Sequence, residues 1–278
     1  MANRVRRKNI MKTWLSLLTL CTAAGPVAAA ALCSAQSGAH TVALVELYTS
    51  EGCDSCPPAD RWLRSLPREG ITPDKAVALS LHVDYWDYIG WKDPYAKPLF
   101  TARQKEASAA NKASFVYTPQ VLLAGRDFRR WPGGGLAAEV RRINAQPARA
   151  DIALEIHDAG AGRIEIRGSA SLNAIGDKPA GKPEDRADAR LVLALYENGL
   201  SSAVQAGENK GATLQHDHVA RDWGAAVALG GDGRVESKLA VSLAGRNRSQ
   251  SGAVAFVQNR RTGDVLQALA LPLCAAAP

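Results

Sequence analysis

The sequence predicts an α/β unit followed by a β-rich antiparallel unit, a sandwich or a barrel. Three observations predict it. Up to about residue 147, short apolar runs alternate with helical periodicity. From residue 150 to 274, strand-like segments follow one another across glycine-rich turns with no long helix between them. The chain has 278 residues, 46% apolar and 22% charged, an ordinary globular composition with length enough for two domains.

The N-terminus is read separately. Residues 1–35 are expected to be a secretory signal: Arg4, Arg6, Arg7, Lys8 and Lys12 precede an apolar stretch, Trp14 to Ala31, broken by Gly25-Pro26. Small residues then place cleavage after Ala31 or Ala35. Asn9 stands where a twin-arginine signal has an apolar residue, so the general export route is expected. The expected location is periplasmic or secreted, with no stable membrane anchor after cleavage. The 34 basic and 27 acidic residues give net +7, and without the five signal charges 29 remain against 27, net +2. No basic stretch with interleaved aromatics remains, so no nucleic-acid partner is expected. Of five cysteines, Cys21 leaves with the signal. Cys33 can pair with Cys274 if cleavage falls after Ala31; otherwise Cys274 is a lone thiol.

In the first unit, 40–147, residues 41–47 (TVALVEL) read as a buried strand. Cys53-x-x-Cys56 follows. Pro57 and Pro58 suit a first helical turn, where a missing N–H does no harm, and Ala59, Trp62, Leu63 and Leu66 mark a helical face. Residues 76–83 are a second strand, 84–98 an ordered aromatic loop and 99–112 a helix. Residues 117–124 are a third strand with Pro119 near its start. Gly125-Arg126-Asp127 is expected to turn the chain into a fourth strand, Phe128 to Trp131, and 136–143 into a last helix. In the second unit, 150–274, strands are expected at 151–158, 162–172, 189–197, 224–230, 236–244, 252–259 and 264–273. Residues 176–189, rich in charge, Pro and Gly, are expected to be an exposed loop.

The chemistry concentrates at the cysteine pair. A helix N-terminus stabilises a thiolate, the attacking species in disulfide exchange. In that reading Cys53 is the nucleophile and Cys56 resolves the mixed disulfide. Glu51 and Asp54 oppose the thiolate while the helix terminus favours it. Competing readings stand beside this one. A structural zinc corner lacks two ligands. A soft metal such as Cu(I) could use the thiolates and His82. The pair could equally be an inert disulfide staple. His216 and His218 alternate along an extended segment and are read as exposed, not as ligands. Tyr85, Trp86, Tyr88 and Trp91 are either core or a docking wall beside the dithiol, and Asp84 and Asp87 either accept a proton or cap a turn.

Residues 40–147 resemble thioredoxin, with an enlarged segment before Pro119. In that fold a cis-proline ahead of the third strand packs against the dithiol, which implies a cis Thr118–Pro119 bond and a site of Cys53, Cys56 and Pro119. Four stretches, VELYTSEGCDSCPPAD (45–60), HVDYWDYIGWKDP (82–94), YTPQVLLAG (117–125) and GENKGATL (207–214), resemble the exported family known as domain of unknown function 1223. That resemblance implies a thioredoxin-like domain followed by a β-rich one, and no substrate. The departure from ordinary thioredoxins is Asp54-Ser55 between the cysteines. The functional expectation is an exported thiol-disulfide oxidoreductase acting on a protein thiol or disulfide without a cofactor. The alternative is a soft-metal or partner-binding module with an inert disulfide.

Overall fold

The computed structural model describes residues 1–2, 31–173 and 183–275. The expected signal segment thus lies largely outside the described residues. Among the described residues no helix is long and apolar enough to cross a membrane.

The architecture is mixed α/β and mostly sheet, with no closed barrel among the described residues. β1 (Cys33–Gln36) is a short edge strand. β2 (Ala43–Thr49) is buried along its whole length, as its nearly continuous apolar run requires; Glu46, the charge within it, pairs with Arg103. α1 (Pro57–Ser65) begins at the two prolines and buries Ala59, Asp60 and Leu63. β3 (Ala76–His82) pairs in parallel with β2, placing Thr49 opposite His82 at the carboxyl ends of both strands. α2 (Pro98–Ala110) follows the aromatic loop. β4 (Gln120–Leu123) runs antiparallel to β2.

β5 is Arg126–Asp127, not the expected Phe128 to Trp131. Ala124 (φ 49°) and Gly125 (φ 80°) form a two-residue turn with both centres left-handed. Such a turn returns the strand at once, so Arg126 pairs Leu123 and the next residues are already past the hairpin. α3 (Leu136–Asn144) closes this stretch.

β6 (Ala150–Gly160) and β7 (Arg163–Leu172) form a long hairpin. α4 (Pro183–Asp188) lies where an exposed loop was expected; residues 174–182 are outside the described set. Asp185 is fully buried, ion-paired to Arg149 and hydrogen-bonded by Asn259, which turns a charged sequence inward. β8 (Ala189–Glu197) follows, then the hairpin β9 (Leu200–Ala203) and β10 (Thr213–His216), then β11 (Val219–Trp223) and β12 (Val227–Ala228). β13 (Arg234–Ser242), β14 (Ser251–Asn259) and β15 (Val265–Pro272) complete the chain. β1 and the β9–β10–β11 run were not expected. Each is short, and their polar residues give no clear period.

Eight strands lie in one path, β15-β14-β8-β11-β3-β2-β4-β5, with β12 added on β8. The two stretches separated in sequence near residue 147 therefore share one sheet, joined where β11 meets β3 in parallel at Val219 and Ser80. A second sheet, β1-β6-β7-β13, packs face to face on the antiparallel half. The period of two along β8 explains how. Leu191, Leu193 and Leu195 face that second sheet, while Val192, Ala194 and Tyr196 face the core containing Phe100 of α2. α1 and α3 cover the opposite face of the parallel half, through Leu63, Leu136 and Val140.

Cys33 and Cys274 are bonded, with Cα atoms 6.2 Å apart. This is the pairing the sequence allows when residue 33 is retained.

Candidate functional site: a buried disulfide over a polar network

The loop leaving β2 and the start of α1 hold a second disulfide, Cys53–Cys56, with Cα atoms 5.4 Å apart. Cys53 N–H donates to Ser50 O and Cys56 N–H to Cys53 O, so the loop is a run of tight turns into the helix. Cys53 Sγ lies 3.3 Å from Ser55 Oγ. Neither cysteine has exposed surface.

Two structures cover them. On one side the aromatic loop packs on Gly52, where a Cβ would sit 3.0 Å from Trp86 Cβ and 3.2 Å from Ile89 Cδ1; only glycine leaves this room. On the other, the connection between β9 and β10 lies across the loop as a strap. Asn209 Nδ2 donates to Glu51 O and Cys53 O, both at 2.9 Å, and Glu208 Oε2 accepts from Asp54 N–H at 3.0 Å. The strap is the GENKGATL stretch.

Beneath the disulfide lies a buried polar network. Glu51, Asp60, His82, Asp93 and His216 are all at most 6% exposed. The carboxyl ends of β2 and β3 supply Thr49 and His82, α1 supplies Asp60, and β10 supplies His216. His82 Nδ1 is 2.7 Å from Asp93 Oδ2, which also accepts from Glu51 N–H at 2.9 Å. Burial pushes the His82 pKa down, but the carboxylates of Asp93, Asp60 and Glu51, Asp93 foremost, together outweigh it and the net shift is upward. Burial pushes Asp93 up, and the His82 charge and its hydrogen bonds bring it net below the usual carboxylate range. The two form a buried ion pair.

Glu51 has two side-chain partners. Its carboxylate accepts from Trp91 Nε1 at 2.8 Å and from His216 Nε2 at 3.0 Å. Its expected opposition to the thiolate is therefore largely absorbed by these partners, whereas Asp54 is exposed at the rim. Asp60 accepts from Thr49 Oγ1 at 3.2 Å and lies 3.9 Å from His216 Nδ1. Burial raises its pKa, against the pull of His216 and His82. His82 Nε2 and His216 Nδ1 have no hydrogen-bond partner among the described residues.

Several expectations change. His216 is not exposed on a sheet face; it is 2% exposed and part of the site. His218, at φ 59°, is also largely enclosed, and burial pushes its pKa down. Its carbonyl accepts from Ser80 N–H, at the junction of the two stretches. The aromatic loop divides. Trp91 reaches inward to Glu51, and Trp86 Nε1 donates to Thr118 Oγ1 at 2.7 Å, while Tyr88 is 82% exposed. Asp84 accepts from Thr101 Oγ1 and Asp87 from Asp93 N–H, so both serve the loop's own geometry. The Thr118–Pro119 bond is cis, as the sequence implied. His82 commits Nδ1 to Asp93, and among the described residues no group of three or more His, Cys, Asp or Glu could hold a metal ion. Asp60, Asp93, Glu208 and Asn209 were not singled out in sequence. The one signal pointing toward these four was the family resemblance of the stretches that contain them.

Fold and site together define a mixed α/β protein in which a buried Cys-x-x-Cys disulfide sits at the carboxyl ends of two parallel strands. The chain belongs to the family described as "Protein of unknown function (DUF1223)", which matches residues 44–258. Among solved structures it is similar to protein AGR_C_4864 from Agrobacterium tumefaciens, at 27% identity and TM-score 0.58, covering 86% of this chain and 97% of that one. It is also similar in fold to HBP35 of Porphyromonas gingivalis, at 16% identity and TM-score 0.60, covering 87% of this chain and 81% of that one. No curated protein matches the sequence.

Proposed function

We propose that this is an extracytoplasmic thiol-disulfide oxidoreductase with a thioredoxin-like unit over residues 40–147, acting through Cys53 and Cys56 on a protein thiol or disulfide. In this reading the protein is periplasmic or secreted, Cys53 attacks, Cys56 resolves, and Pro119 lies on the substrate side. The observation that carries the reading is the network of Glu51, Asp60, His82, Asp93 and His216 beneath the disulfide. Burying five titratable side chains is costly, and a disulfide that only staples a four-residue turn has no use for them. Disulfide exchange does have a use, because each half-reaction moves a proton.

A second reading rests on the complete burial of Cys53: an inert disulfide inside a partner-binding module. Reaction with a protein requires the Glu208–Asn209 strap to move aside. The test is to reduce Cys56→Ser protein and mix it with a disulfide-containing polypeptide. The oxidoreductase reading expects a stable mixed disulfide at Cys53, absent in Cys53→Ser. No adduct from folded protein would move the assignment to the inert module.

A further inference from the structure

Disulfide exchange through Cys53 leaves one step that the cysteines alone do badly. Cys56 must lose its proton before attacking Cys53, and it does so in a site with no exposed sulfur. An ordinary thiol, with pKa about 8.5, is only about 3% thiolate at pH 7. A thiol out of reach of solvent also needs a proton acceptor within the protein.

The structure places a candidate acceptor one helical turn away. Asp60 N–H donates to Cys56 O, so residues 56 and 60 share one face of α1, and Cys56 and Asp60 are both buried. Asp60 Oδ2 is 3.9 Å from His216 Nδ1. That nitrogen has no hydrogen-bond partner among the described residues, although the side chain is 1% exposed. The other ring nitrogen is committed: Glu51 accepts from Trp91 Nε1 and can accept from His216 only if Nε2 carries hydrogen. With hydrogen on Nε2, Nδ1 is the ring position left open toward Asp60. Asp60 and Nδ1 thus lie side by side as buried acceptor positions for a proton. The surrounding charges hold the pair in place. His82 and Asp93 neutralise each other on the β3 side, and Tyr95 packs edge-on against both imidazoles. Arg64 and Asp217 pair at the outer edge, and Asp54 and Glu208 lie at the rim.

We propose that Asp60 and His216 form the proton-holding pair for Cys56, so that the later, β-rich stretch completes the redox site through a histidine on β10. The inference rests on the oxidoreductase reading above. When the dithiol reduces a substrate, Cys53 thiolate attacks a substrate sulfur and the substrate S–S bond breaks. The first substrate thiolate leaves, giving a mixed disulfide. The Cys56 S–H proton then passes to the Asp60–His216 pair. Cys56 thiolate attacks Cys53 Sγ, the Cys53–substrate bond breaks, and its electron pair leaves on the second substrate sulfur. Two electrons move from dithiol to substrate, and the proton stays on the pair until it returns to solvent. In the opposite direction an external thiolate opens Cys53–Cys56 and the pair returns a proton to Cys56. The pair thus acts as general base and general acid on the Cys56 sulfur and makes no contact with substrate.

The two chemical steps can be timed separately. Reduced protein with Cys33 and Cys274 both replaced by Ala, so that their thiols do not react, is mixed with an aromatic disulfide whose released thiolate absorbs light; this background serves as wild type in the comparison. The first equivalent reports attack by Cys53, and the second reports closure by Cys56. Wild type, Asp60→Asn and His216→Gln are compared from pH 5 to 9; glutamine can still donate to Glu51 but offers no basic nitrogen. The expected result is an unchanged first phase and a second phase slowed on the order of 30-fold at pH 7, with the deficit shrinking to a few-fold near pH 9, where Cys56 ionises unaided. Slowing by one constant factor at every pH, or no slowing, would overturn the proton role and leave the redox reading intact. Wild-type protein that releases no first equivalent would overturn that reading and this inference with it. If one variant does not fold, as judged by circular dichroism, the other carries the test alone.

Discussion

The two disulfides among the described residues sit in different surroundings. Cys33–Cys274 ties residues 241 positions apart, where β1 and the end of the chain meet, and both cysteines are partly exposed. Cys53–Cys56 spans three positions, has no exposed surface and sits over five buried titratable groups. Exposure alone would nominate the first as the reactive one. On the proposed function the surroundings matter more: Cys33 Sγ has a long contact, 3.9 Å, to the Pro272 carbonyl. The lesson concerns what each bond constrains. A cross-link's entropic effect on the unfolded chain grows with the loop it closes, while its chemistry depends on the charges and proton acceptors around it.

That contrast is sharpened first by stability. Removing Cys33 and Cys274 together is expected to destabilise the protein by about 5 kcal/mol, on the loop-entropy estimate for so long a separation. Removing Cys53 and Cys56 together should cost about 2 kcal/mol for a four-residue loop. Urea unfolding of the two double Ala variants checks this; equal losses would break the distinction. Asp93→Asn comes next, at about 3–4 kcal/mol near pH 6, because it leaves His82 buried without its counter-charge. The sign with pH follows from the two shifts. His82, raised, stabilises fully below its ordinary value of about 6.5, and this is lost as pH rises through its folded value. Asp93, depressed, stabilises above its ordinary value of about 3.9, and this is lost as pH falls through its folded value. The deficit of Asp93→Asn should therefore be largest between about pH 4 and 6.5 and shrink on either side, as followed by thermal melts.

Asn209→Ala removes the two hydrogen bonds that hold the strap over Cys53, for a loss of about 1–2 kcal/mol. It should speed reduction of Cys53–Cys56 by a water-soluble phosphine several-fold and leave Cys33–Cys274 unchanged. Alkylation followed by peptide mass mapping reads both bonds in one sample. Equal rates in variant and wild type would mean the strap does not control access. The smallest effect belongs to Asp54→His, an exposed change expected to lower the Cys53 pKa by less than about one unit, since solvent screens it. Thiolate absorbance against pH measures it.

The elements legible in the sequence are those whose signals are local. The nearly continuous apolar run of β2, the proline start of α1, the alternation along β6 and β7 and the apolar runs of β8 and β14 are each local, and each element appears where its signal puts it. The cysteine pair at a strand-to-helix junction was equally legible, because two close residues and a proline turn define it. What only the tertiary structure decided is long-range. His216 and Asn209 lie more than 150 positions from Glu51 and Cys53 in the chain, and no spacing rule links them. The same holds for Asp185, which a charged, Pro- and Gly-rich segment disguised as solvent-facing until Arg149 and Asn259 met it. The physical reason is common to all three. A polar side chain carries no periodic signature of burial. Whether it is solvated or buried depends on the partner that satisfies it, and here that partner arrives from another part of the chain.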